Sequence, residues 1–130
     1  KVFAMMDGKQ RKMAALGESR EEQGTKTVAL SRKKEGLPGI PMLALSSDQK
    51  GQVRQTLADL LAMFREKDAK EALKMVDAGG FDHLHLAFYK NHDIGNDKVW
   101  DVWQIEGPNC LWFFRGDPHV HAWVNIKKPA

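Results

Sequence analysis

The feature that most constrains this chain is a change of hydrophobic period at Gly79-Gly80. Upstream, Val53, Leu57, Leu60, Leu61 and Phe64 recur at helical spacing and form one apolar face. Downstream the period falls to two. His83, His85, Ala87 and Tyr89 alternate with Leu84, Leu86 and Phe88. His119, His121, Trp123 and Asn125 alternate with Val120, Ala122, Val124 and Ile126 in the same way. Helices followed by strands predict an α+β fold.

Two segments carry the same helix-start signature. Asp7 is followed three residues later by Gln10, and Ser46 by Gln49, each behind an apolar residue (Met6 and Leu45). This is a capping box behind a hydrophobic staple. It predicts one helix from Asp7 to about Leu16, with Gly17 as a left-handed cap, and a second from Ser46. A third is expected over 68–78, capped by Asp68, with Ala72, Leu73 and Val76 inward and Gly79-Gly80 as its stop. Thr27 to Leu30 reads as a short extended segment. Gly36, Pro38, Gly39 and Pro41 make 31–41 a loop.

Four strands are expected over 81–89, 99–106, 110–115 and 119–126, with turns at Gly107-Pro108 and Gly116-Asp117-Pro118. The predicted architecture is a four-stranded antiparallel meander whose apolar face is covered by the N-terminal helices. The helical part is 1–80 and the sheet part 81–130 of a single domain spanning 1–130. A length of 130 residues suits one domain. The first residue is a lysine, which reads as a processed or trimmed form or a piece of a longer chain. There is no apolar run of membrane-spanning length, so no transmembrane segment is expected. The single cysteine, Cys110, cannot form an internal bridge.

Charge and ring chemistry sit in different halves. Residues 1–80 hold fifteen Lys/Arg against eleven Asp/Glu, whereas 81–130 hold five against six. All five histidines and nine of the eleven aromatic residues lie in the second half. Positive charge is therefore not interleaved with the aromatics, and no nucleic-acid partner is expected.

The histidines suggest a site. Alternation puts His83 and His85 on one side of the first strand, and His119 and His121 on one side of the last, facing away from the helices. If those strands meet, four imidazoles converge, a ligand set suited to a transition metal ion such as copper, zinc or iron. Glu106, at the end of the second strand, would ligate, act as general base or orient a ring. Trp103 and Trp123 would form a platform for a small-molecule or peptide ligand, and Arg115 would hold an anion. His92 sits in a turn-like acidic loop able to bind calcium or complete the metal shell, and Cys110 is a buried hydrophobe, a thiol ligand or a nucleophile paired with a base. Two function classes follow: a metal-binding protein, extending to a metal-dependent hydrolase or oxidoreductase, and a non-enzymatic interaction or ligand-binding module using an aromatic sheet face.

Four short motifs carry a family resemblance: Phe3-x-x-Met6-Asp7-x-x-Gln10-Arg11; Gly39-Ile40-Pro41 with Leu45-Ser46-x-x-Gln49; Trp103-x-Ile105-Glu106-Gly107-Pro108; and His119-x-His121. In that order, across residues 3–121, the chain resembles the family catalogued as domain of unknown function 3500. The resemblance implies that Glu106, His119 and His121 belong to a polar signature, and that the protein is exported, to a periplasmic or extracellular location. His83 and His85 are not part of that pattern, and the family name assigns no reaction.

Overall fold

The computed structural model describes residues 1–91, 93, 99–116 and 119–129. Among the described residues four α-helices precede most of a six-stranded mixed sheet: α1 (Val2–Met5), α2 (Gly8–Ala14), β1 (Ala15–Leu16), β2 (Ile40–Pro41), α3 (Ser47–Leu61), α4 (Glu66–Gly79), β3 (His85–Tyr89), β4 (Val102–Glu106), β5 (Cys110–Arg115) and β6 (His121–Ile126). The class is α+β, as the change of period predicts.

Both capping boxes form. The Asp7 carboxylate accepts from the Gln10 amide N–H, and Ser46 does the same for Gln49, while each glutamine reaches back to its cap. The two glutamines also bond each other at 2.9–3.0 Å, tying the starts of α2 and α3 together. α3 then buries Val53, Leu57 and Leu61, each contributing about 1.5–3 kcal/mol. Phe64, expected on the same stripe, lies past the helix end and is exposed. α4 begins at Glu66, ahead of the expected Asp68, which lies in its first turn and bonds Arg65. It ends where Gly80 takes φ +96.

β3 to β6 pair antiparallel in chain order, but they belong to a mixed sheet and not to the expected four-stranded antiparallel meander. The sheet does not stop there. α2 ends at Ala14, short of the expected Leu16, and Ala15–Leu16 becomes β1, parallel to β3. Ile40–Pro41, inside the expected loop, is β2, antiparallel to β3. The reason is edge chemistry: β3 is buried along its whole length, so its outer N–H and C=O groups need partners, and two short N-terminal segments supply them. Thr27 and Val28 close a 3-10 helix over Gly24–Val28 instead of an extended segment.

Gly39 makes the β2–β3 approach possible. Its φ is +99, and an added Cβ would lie 2.2 Å from the Leu86 carbonyl oxygen. Gly39→Ala is therefore expected to cost at least about 2 kcal/mol, since a disfavoured backbone and a backbone clash add. A melting curve indistinguishable from the parent chain would refute this.

Both faces of the sheet are covered over β3 to β5, while on β6 Ala122 and Val124, expected to face the helices, are exposed. Leu86, Phe88, Ile105 and Trp112 face the helices, in one core with Val53, Leu57 and Val76. Ala87, Tyr89, Val102, Leu111 and Phe113 face the other way and form a second core with Val28, Leu16, Leu30 and Trp123. The face expected to be open is thus sealed by the irregular segment 17–37. The division into a helical 1–80 and a sheet 81–130 does not hold, because the first part supplies two strands and this cover.

Candidate functional site

The four histidines do not share a location. His83 lies in a 3-10 turn (Phe81–His83) and is outside the strand alternation. His85 opens β3 and is buried, its Nδ1 3.0 Å from the His83 carbonyl oxygen, to which it donates. Burial lowers its pKa. His85 does face the same side as His121, but the register carries His85 through Glu106 and Leu111 to Asn125, not to His121. His121 is three strands across and four residues along, roughly 14 Å by 13 Å at ordinary sheet spacings. The meander closes the two ends of the chain segment into one sheet but places them at opposite corners.

Each corner has its own polar cluster. At the first, Glu106 is 3% exposed and Gln104 fully buried. Arg20, from the covering segment, donates to Gln104 Oε1 at 2.9 Å, to Glu106 Oε1 at 3.2 Å and to the Thr27 carbonyl. Burial pushes the Glu106 carboxyl up, and Arg20 opposes it. The Glu106 carboxylate is thus buried beneath the covering segment and paired with Arg20. At the other corner, Arg115 Nε and Nη2 clasp the Glu22 carboxylate and hold its pKa down. His121 Nδ1 is 3.2 Å from Arg115 Nη2 and 3.4 Å from Glu22 Oε2. The His119 and His121 rings lie 4.8 Å apart, and Trp123 follows at 5.5 Å. The Arg115 guanidinium beside Nδ1 disfavours a cation approaching His121 through that atom. Among the described residues no three His, Cys, Asp or Glu side chains are grouped to hold a metal ion. His92 lies outside the described residues.

Cys110 is buried on the helix side, away from the histidines, and desolvation raises its thiol to about 12, which suits a core residue and not a nucleophile. The tryptophans also part company. Trp123 stands on the histidine side against Phe113, while Trp103 faces the helices and stacks on Phe114 at 5.5 Å. They do not form one platform.

Trp103 instead joins a site that the histidines masked. A cleft of about 750 Å³ opens on the helix side. α1 contributes Phe3, β3 contributes Phe88, and Trp100 and Trp103 complete the aromatic wall. Phe3, Phe88 and Trp100 pack on one another at 4.9–5.5 Å. Val53 and Thr56 of α3 and Ile105 of β4 line the rest, with Lys1, Arg11 and Asp93 supplying charge. Phe3 escapes sequence reading as a site residue because α1 is one turn long and has no side-chain cap, and Arg11, in the last turn of α2, reads as an ordinary helix-end cation. Gln104 was legible as a polar residue two before Glu106, but nothing in residues 17–37 marks Arg20 or Glu22 as their partners' counterparts.

The chain matches no protein-family model, no curated protein and no solved structure. Among the described residues no helix is long and apolar enough to cross a membrane.

Proposed function

We propose that the chain is a ligand-binding module and that the aromatic cleft is its site. One observation carries the reading: a concavity of about 750 Å³, within the size range of small-molecule sites, whose walls are aromatic and aliphatic with a few charged groups. Rings fixed by mutual packing offer apolar area at little entropic cost to the ligand. The metal reading rests on His119 and His121 alone, two rings beside an arginine, and is the weaker of the two.

The test is a titration with N-phenylnaphthylamine, an uncharged apolar fluorophore. Saturable binding of one probe per chain is expected. Thr56→Trp, which places an indole in the cleft from a half-buried helix position, should weaken binding about tenfold or more while leaving circular dichroism unchanged. Unsaturable binding, or equal affinity in the folded variant, would remove the cleft from consideration.

A further inference from the structure

We infer that the ligand of this cleft is an apolar, ring-bearing molecule with one anionic group, a carboxylate or sulfonate, and that Arg11 receives the anion. The inference rests on the cleft being the binding site and adds the class of ligand.

The carrying observation is an arginine held in place without an acid. Arg20 pairs with Glu106, Arg54 with Asp77, Arg65 with Asp68 and Arg115 with Glu22. Arg11 and Arg32 have no acidic partner among the described residues, and of the two only Arg11 lines the cleft. Its Nε and Nη2 donate to the carbonyls of Phe3 (3.3 Å) and Ala4 (3.2 Å), and its guanidinium lies over the Phe3 ring at 5.2 Å. The group is therefore oriented beside the aromatic wall, with Nη1 bonded to no described residue. A planar fork fixed by stacking and two carbonyls is prepared for a carboxylate or sulfonate at small entropic cost. Lys1 adds a second cation to the lining, also without an ion pair among the described residues. Among the described residues Asp93 is the one acid in the lining, and its Oδ1 accepts from the Asp101 N–H. The charges of the described lining favour an anion, and the aromatic wall favours an apolar body.

A matched pair of probes isolates the charge. Anilinonaphthalene sulfonate is N-phenylnaphthylamine with one added sulfonate. The unaltered chain should bind the sulfonate about fivefold more tightly at low ionic strength, and the gap should shrink with added salt. Arg11→Met should abolish the preference, so that the two probes bind the variant with equal affinity, and Arg11→Lys should retain part of it. Equal affinity for both probes in the unaltered chain, or a preference that survives Arg11→Met, overturns the inference and leaves the cleft as a site for neutral ligands. Failure of both probes to saturate overturns the proposed function itself. The salt series on the unaltered chain decides the matter even if a variant does not fold.

Discussion

Arg20→Met should destabilise the fold by about 3 kcal/mol at neutral pH and by far less in acid, because it leaves Glu106 buried without its cation. The wild-type group fixes the sign. Glu106 has a folded pKa raised above its ordinary 4.5, mainly by burial and against the pull of Arg20. A raised carboxyl binds its proton more tightly in the folded state. Its contribution to stability is therefore fully present below about 4.5 and is lost as pH rises through the folded value. Removing Arg20 lifts the folded value further and widens that window. Below it the carboxyl is neutral in both states, and the remaining loss is about 1 kcal/mol for hydrogen bonds to Gln104 and Thr27. Adding Glu106→Gln should restore most of the neutral-pH loss, since a neutral amide no longer needs the guanidinium. Urea unfolding at pH 7 and pH 4 checks both statements. A loss of equal size at the two pH values would show that Arg20 acts through packing alone.

Asn109→Asp is the second large effect expected, about 3 kcal/mol at pH 7. Asn109 is 1% exposed, and its Nδ2 donates to the Met75 carbonyl at 2.7 Å and the Lys127 carbonyl at 2.8 Å. These bonds lock the last turns of α4 to the end of β6. The amide also lies where a Cβ on Gly79 would fall, 1.9 Å from its Oδ1, so the site has no room to rearrange. Aspartate keeps the shape but turns a double donor into a carboxylate facing two carbonyl oxygens. The new group would bind its proton in the folded state, so the variant should recover stability as pH falls toward 4. Asn109→Ala removes the donor without adding charge and should cost about 2 kcal/mol with little pH dependence. Thermal melts of both variants between pH 4 and 7 separate the cases. Parallel curves for Asp and Ala would refute the account of the donor.

Local signals in this chain were legible where local chemistry decides. The boxes at Asp7 and Ser46 form because the cap and its glutamine are three residues apart. Likewise β4, β5 and β6 follow alternation and turn residues. The added strands were hidden because two-residue pairings have no period: Ala15–Leu16 and Ile40–Pro41 are strands only because β3 offers them an edge. The expected convergence of the two histidine pairs is missing for a related reason. Alternation says which side a residue faces, and it was right that His85 and His121 face alike. It says nothing of register, which puts Asn125, not His121, at the end of the His85 row. The motif residues behind the family resemblance also have plain structural roles: Gln10 and Gln49 join two helix starts, Ile40–Pro41 is β2, and Glu106 anchors Arg20. The cleft was the least legible element, since its wall is assembled from residues 3, 88, 100 and 103. Only Trp103 among the expected platform residues lines it.

The parallel pairing of β1 with β3 bears on how the chain is made. Ala15 pairs with Phe88, so 73 further residues must be made after Ala15 before this first strand has its neighbour. Until then Ile40 and Met42, both fully buried in the finished fold, have no sheet to pack on. The helices can form early, but they wait for β3 to emerge. Synthesis thus leaves a long interval in which apolar surface is open to chaperones, and completion of one late strand closes both sides of the molecule together.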